Sequence, residues 1–281
     1  MKLIDGRKVS AELRENLKKE ILKLDKKPGL AVILVGSDPA SQQYVGMKHR
    51  KCEEVGIKSF KYELPADVSE KTVLDLIDEL NNNDEVNGIL VQMPVPKHIS
   101  SEKIMNAVIP KKDVDGFHPM NIGKMILGEE SLQACTPRGV MKLLEAYNID
   151  PCGKDVVVVG RSVIVGTPVA EMLKAKNATV TICHSRTKDL SYHTKNADII
   201  VSAVGRQNII TADMVKEGVV IIDVGTNRDP ETNKICGDVD FENIKEKCSY
   251  ITPVPGGAGP MTIACLLENT LIAYKRLNKI E

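Results

Sequence analysis

Short apolar runs alternating with amphipathic helical stretches constrain this chain more than any other feature. Leu30–Val35 and Val86–Gln92 read as buried strands. Lys58–Leu64, Val156–Val159, Thr179–Cys183, Ile199–Val204 and Val219–Val224 continue the series. Val9, Leu13, Leu17, Ile21 and Leu24 recur at helical spacing among charged residues, giving a first amphipathic helix. Asp38-Pro39 has a capping side chain followed by a proline suited to a first helical turn, which predicts a helix to about Val55. Ser69 caps a helix through Leu80, a short helix follows Ser100, and Thr136-Pro137 opens another to about Tyr147. Pro260–Leu277 is a long last helix with Ile263, Leu266, Leu267, Thr270, Leu271 and Tyr274 on one side. Strands and helices in this order predict an α/β fold with parallel sheets covered on both faces. The 281 residues make one large or two ordinary domains, and the polar turn Asn148–Lys154 is the natural join.

Charge and cysteine usage exclude several classes. Lys+Arg and Asp+Glu balance at 38 each, so no global field recruits nucleic acid or an anionic membrane. With no Trp and three Phe there is little aromatic surface for stacking bases. The seven cysteines are scattered and never form Cys-x-x-Cys, which predicts reduced thiols rather than disulfides or a zinc site. The opening Met1-Lys-Leu-Ile-Asp-Gly6 lacks the apolar core of a signal peptide, and no apolar run could cross a bilayer. A cytoplasmic protein with no membrane or nucleic-acid partner is expected.

Val156–Pro168 reads as a strand, a glycine-bearing turn and a helix start. Gly160 can make the tight turn, Gly166 allows close backbone approach, and Thr167 would cap a helix at Pro168. Backbone N–H groups at such a terminus suit a pyrophosphate. Ser162 replaces the second glycine of Gly-x-Gly-x-x-Gly and the last glycine sits one residue late, so a plain strand-to-helix turn is the competing reading. The next strand ends in Cys183-His-Ser-Arg-Thr187 without the acid that binds the ribose of NAD. Ser185 and Arg186, helped by Arg161, offer a hydroxyl and two guanidinium groups to a 2′-phosphate, favouring NADP over NAD. A solvated basic loop is the alternative. Tyr44 and Lys48 share a helix face near a strand end. The pair precedes the glycine turn by more than a hundred residues, which disfavours a short-chain dehydrogenase. From spacing alone it is either catalytic or two solvated side chains.

Seven blocks in order carry a resemblance over nearly the whole chain: Val35–Lys48, Gly88–Pro96, Lys112–His118, Cys135–Pro137, Val159–Pro168, Asp223–Asn227 and Pro253–Thr262. In these blocks the sequence resembles the bifunctional methylenetetrahydrofolate dehydrogenase/methenyltetrahydrofolate cyclohydrolase family. The resemblance implies an N-terminal catalytic, folate-binding domain over residues 1–137, completed by a returning C-terminal helix over 260–281. It implies a Rossmann-like NADP-binding domain over 138–259, with an active cleft between the two. The implied reactions are NADP-dependent oxidation of 5,10-methylenetetrahydrofolate and hydrolysis of the product to 10-formyltetrahydrofolate. Lys48 would be the central catalytic residue, with Tyr44 beside it, Gln92 hydrogen-bonding near it and Asp115 anchoring the pterin. Gly160, Arg161, Ser162, Ser185, Arg186 and Thr226 would hold the cofactor, and Pro255 and Gly256 would contact the substrate beside the nicotinamide. A homodimer associating through cofactor domains is also implied, and no metal. Thr226 departs from a commoner aliphatic residue and Ala134 from a commoner proline, but neither removes a chemical group.

Elementary chemistry gives these roles independent sense. Hydride loss leaves a cation on the substrate, which an adjacent ammonium would repel, so Lys48 should be neutral for part of the cycle. A carboxylate can accept two N–H bonds from an aminopyrimidine edge, as Asp115 would. Asp113 and Asp115 could suggest a metal, but acids in a polar loop are usually solvated. Asp223 fits turn chemistry and the nicotinamide site equally well. A cyclohydrolase-only relative and a non-catalytic folate- or dinucleotide-binding module are the rival readings. Lys48, Gln92 and Asp115 together argue against the second.

Overall fold

Every residue from Gly29 to Val35 is buried, because this strand is covered on both sides by helices. In the computed structural model, which describes residues 1–280, the elements follow the chain in this order. They are β1 (Lys2–Leu3), α1 (Gly6–Ile21), β2 (Gly29–Val35), α2 (Pro39–Val55), β3 (Lys58–Leu64), α3 (Glu70–Asn82) and β4 (Gly88–Val91). Next come α4 (Ser101–Ala107), α5 (Pro119–Leu127), α6 (Cys135–Ala146), β5 (Asp155–Val159), α7 (Gly166–Ala175), β6 (Thr179–Cys183) and α8 (Leu190–Thr194). The last are β7 (Ile199–Ser202), β8 (Val219–Asp223), β9 (Asn227–Arg228), β10 (Ile235–Cys236), α9 (Phe241–Ile244), β11 (Cys248–Ile251) and α10 (Ala258–Asn278).

The chain divides into two compact units. One holds residues 12–135 and the chain from Ile263 onward; the other holds residues 1–11 and 136–262. Glu281, the last residue of the C-terminal segment named above, lies outside the described residues.

The first unit is built on a parallel sheet of order β3-β2-β4. Alternate side chains of β2 enter two cores, as the period of a strand requires. Leu30, Val32 and Leu34 pack with Leu17 and Ile21 of α1, Val45, Cys52 and Val55 of α2, and Ile263, Leu266, Leu267 and Leu271 of α10. Ala31, Ile33 and Val35 face Val73, Ile77 and Leu80 of α3 and Ile104 of α4. Asp38 caps α2 as expected, its carboxylate accepting from the Ser41 N–H at 2.8 Å. Ser69 and Ser100 do the same for α3 and α4.

The second unit carries a parallel sheet of order β1-β11-β8-β7-β5-β6, with β9 and β10 forming a small antiparallel pair. Strands β5 and β7 are neighbours although β6 lies between them in sequence, so the order reverses there. Such a switch point opens a crevice at the carboxyl ends of the strands.

Several elements differ from the sequence reading. Residues 2–3 form a strand too short to show a pattern, paired with β11. Helix α5 went unread, although His118 caps it, Pro119 opens it and Gly128 closes it at φ 76°. Helix α6 starts at Cys135, so Thr136 lies inside its first turn rather than capping it, and its hydroxyl meets that of Thr262 at 2.9 Å. Strand β7 stops at Ser202 because the Val204 N–H turns to the Asp238 carboxylate.

Asn269 of α10 is fully buried and donates to the carbonyls of Val114 and Gln133, both at 2.8 Å. Asn269→Ala removes the donor to the Gln133 carbonyl and one of the two donors to that of Val114, and its expected cost is about 1–3 kcal/mol. Urea unfolding checks this through a lower midpoint at unchanged slope.

Candidate active site

The Asp38 cap fixes where α2 begins and therefore which face of it turns inward. Lys48 lies on that face and is only 6% exposed. Its Nζ donates to Gln92 Oε1 at 2.9 Å, and Gln92 Nε2 donates to the Met93 carbonyl at 2.8 Å, which fixes the amide's orientation. Gln92 directly follows β4, and its backbone N–H still bonds Ile33 of β2 at 2.8 Å. A strand end thus supplies a rigid acceptor for a helical amine. The Tyr44 ring lies one helical turn away, its centroid 5.3 Å from Lys48 Nζ.

Burial pushes the Lys48 pKa down, while Asp115 and the thiols of Cys135 and Cys52 pull it the other way. Burial raises the Tyr44 phenol, with Asp115 and Cys135 adding to the effect. Asp115 is pushed up to about 6, chiefly by burial and further by Asp113, while Lys48 opposes the shift. The amine, phenol and carboxyl therefore share one poorly hydrated space, and each is biased toward its neutral form.

Two acids two residues apart have separate jobs. The Asp113 carboxylate accepts from the backbone N–H groups of Gly116, Phe117 and His118 and from Asn121 Nδ2 at 2.9 Å. It is buried and builds the loop, not solvated as expected of acids there. Asp115 is near enough to Lys48 for each to shift the other's ionisation. Gly116 sits at φ 74°, and a Cβ there would collide with the backbone at Gln133 and Ala134. Cys135 and Asn269, which the sequence reading did not assign to the site, support this loop from behind: Cys135 Sγ donates to the Val114 carbonyl at 3.1 Å, beside Asn269. Their signal was an asparagine within an otherwise apolar helix face.

In the second unit, Gly160, Arg161 and Ser162 follow β5, Ser185 and Arg186 follow β6, Thr226 follows β8, and Pro255 and Gly256 follow β11. All lie at carboxyl ends of strands in one parallel sheet, where such sheets bind ligands. Gly160 has φ 125°, and a Cβ there would collide with the Ala203 carbonyl; one on Gly166 would strike the backbone of Gly160. Helix α7 begins at Gly166, and Thr167 does not cap it at Pro168. The Ser162 hydroxyl instead accepts from Val165 and Gly166 at 3.2 and 3.3 Å, and Thr167 donates to the Arg161 carbonyl. As an acceptor in both bonds, the Ser162 hydroxyl still has its own proton to donate. Arg161 and Arg186 are exposed and without ion-pair partners among the described residues. A tight glycine turn, a donor hydroxyl and two available guanidinium groups fit a phosphorylated dinucleotide. Asp223 is spent on turn chemistry, accepting from the backbone N–H groups of Gly225, Asp238 and Val239. Burial raises its pKa to about 6.

A desolvated lysine with a carboxyl partner, in a chain that also carries a dinucleotide-type sheet, defines a cofactor-dependent α/β enzyme. Residues 4–115 match the catalytic domain of tetrahydrofolate dehydrogenase/cyclohydrolase, and residues 134–278 match its NAD(P)-binding domain. The chain is 55% identical to the bifunctional protein FolD of Moorella thermoacetica over 98% of its length and 99% of the relative's. The crystal structure of FolD methylenetetrahydrofolate dehydrogenase/cyclohydrolase from Campylobacter jejuni superposes with a TM-score of 0.97 at 53% identity, covering 99% of both chains. The Trypanosoma brucei dehydrogenase-cyclohydrolase, solved with NADP cofactor and inhibitor, gives 0.95 at 36% identity over 99% of this chain and 98% of that one. The chain belongs to the tetrahydrofolate dehydrogenase/cyclohydrolase family.

Asp115 also sets a pH dependence. Its folded pKa of about 6 lies above the ordinary 3.8, so the folded state holds this proton longer than the unfolded state. Relative to Asp115→Asn, the wild-type protein should lose stability as pH rises through that window and level off above it. Thermal unfolding of both proteins across the window checks the sign.

Proposed function

We propose that Lys48 is the group on which both reactions of this enzyme turn. The enzyme oxidises 5,10-methylenetetrahydrofolate to 5,10-methenyltetrahydrofolate with NADP and hydrolyses that product to 10-formyltetrahydrofolate. The observation that carries the proposal is a buried amine whose proton is disfavoured by desolvation and whose position is fixed by Gln92.

NADP, when bound, accepts the hydride. Loss of hydride leaves positive charge delocalised over the substrate, and a neutral Lys48 does not repel it. The same neutral amine then takes a proton from the water attacking the methenyl carbon, giving an ammonium next to a product no longer cationic. Gln92 Oε1 accepts from Lys48 in either protonation state, so the amine stays in place through both steps. Asp115, ionised above about 6, accepts from the aminopyrimidine edge. Tyr44 offers its ring face and phenol beside the amine. Gly160, Arg161 and Ser162 would hold the pyrophosphate, Ser185 and Arg186 the 2′-phosphate, and Thr226 the nicotinamide end. Pro255 and Gly256 complete the proposed substrate contacts.

The reading extends to a homodimer formed through the cofactor-binding unit. It is supported by β6, an edge strand on which Ile182 is 38% exposed. No helix among the described residues is long and apolar enough to cross a membrane, and the cysteines are thiols rather than disulfides. A cytoplasmic location accords with those thiols.

Lys48→Met is expected to abolish cyclohydrolase turnover while leaving NADP binding intact; retained full turnover would sink the assignment. Arg186→Ala should raise KM for NADP about tenfold with little effect on KM for NAD, as loss of a charge-assisted phosphate contact implies. Initial rates with each dinucleotide test this.

A further inference from the structure

At the reversal of strand order in the second unit, the loop after β7 closes against the glycine turn after β5. The Ala203 carbonyl occupies the place a Gly160 side chain would need. What holds that loop is one carboxylate brought from 32 to 36 residues further along the chain. Asp238 is completely buried, and its Oδ2 accepts from Ser202 Oγ at 3.1 Å, Val204 N at 2.7 Å and Gly205 N at 3.3 Å. Its Oδ1 accepts from Arg206 N and Asn227 Nδ2, both at 2.9 Å. Four of these donors belong to the end of β7 and its loop; the fifth is the neighbour of Thr226.

The carboxylate is itself keyed into the loop after β8. A Cβ on Gly225 would collide with the Asp238 carboxylate, and one on Gly237 would collide with that of Asp223. Asp223 in turn accepts from the Asp238 and Val239 N–H groups at 3.1 and 2.9 Å. Each acid thus occupies space left by a glycine beside the other, so Asp223-Val-Gly225 and Gly237-Asp238-Val239 fit only as a pair. A negative charge satisfied by three backbone N–H groups costs much to replace.

We propose that Asp238, locked in place by Asp223, is the positioning residue of the NADP site: it fixes the residue 203–206 loop against Gly160 and holds Asn227 so that Thr226 is presented to the cofactor. This rests on the reading of Gly160 and Thr226 as cofactor-holding residues. Asp238 touches neither substrate nor reacting atoms, and its effect is exerted through these loops. Catalysis by the Lys48 cluster does not pass through it.

The two activities separate this role from a merely structural one. Asp238→Asn keeps the shape but replaces one acceptor oxygen with a donor facing N–H groups. It is expected to raise the NADP dissociation constant, measured by calorimetry, and KM for NADP about tenfold. Cyclohydrolase kcat, assayed on methenyltetrahydrofolate without NADP, should stay at the wild-type value. Asn227→Ala, a milder change that removes the side-chain donor alone, should raise KM for NADP about threefold. If Asp238→Asn does not fold, the Asn227→Ala result decides, and unchanged NADP affinity there overturns the proposal. Gly160→Ala is titrated in parallel. If it weakens NADP binding while Asp238→Asn and Asn227→Ala do not, the positioning role falls and the cofactor reading stands; if none of the three weakens it, the cofactor reading falls as well.

Discussion

The desolvated amine of Lys48 is the interaction on which the functional architecture depends. A lysine ordinarily keeps its charge by staying in water, and this one is denied water on nearly all sides. Its hydrogen bond to Gln92 tolerates either protonation state, because the amide oxygen is always an acceptor. The fold around it serves to keep those two groups in register: a capped helix start sets the rotation of α2, and the β2–β4 ladder continues through the Gln92 N–H. A rigid scaffold with an unfavourably placed amine is the arrangement that proton transfer at neutral pH requires.

Within each unit, buried carboxylates are set apart by whether their acceptor capacity is taken up. Asp113, Asp223 and Asp238 are buried and have their acceptor capacity taken up by backbone N–H groups at loop bends. Asp115 has no such set of donors among the described residues, and its pKa of about 6 reflects burial rather than hydrogen bonding. The distinction is one of partners, not of residue type or position in a motif. It explains how a chain with balanced charge and no metal-ligand spacing can still concentrate chemistry in one place.

Much of the fold was legible because its signals are local. The seven-residue run of β2, the Asp38-Pro39 start of α2 and the Ser69 cap of α3 each declare themselves within a turn or a strand. Tyr44 and Lys48 could be paired from spacing alone, though not judged. What spacing could not supply was long-range: Gln92 lies 44 residues from Lys48, and Asn269 lies 155 from the carbonyl it holds. Gln92 and Asp115 entered through resemblance, not pattern. Asp113 and Asp115 were indistinguishable in sequence because their difference is made by Asn121 and by the N–H groups of residues 116–118. Helix α5 went unread although its proline start and glycine stop follow the ordinary asymmetry of helix ends.

The most direct test of this view is the ionisation of Lys48 itself. Carbon-13 NMR of lysine Cε in selectively labelled enzyme, with Lys48→Met giving the assignment, follows that one amine through a pH titration. A midpoint clearly below the ordinary lysine value of 10.5 is the expected result. A midpoint at or above it would mean that the amine is a permanent ammonium, and a neutral base at the centre of both reactions would have to be abandoned.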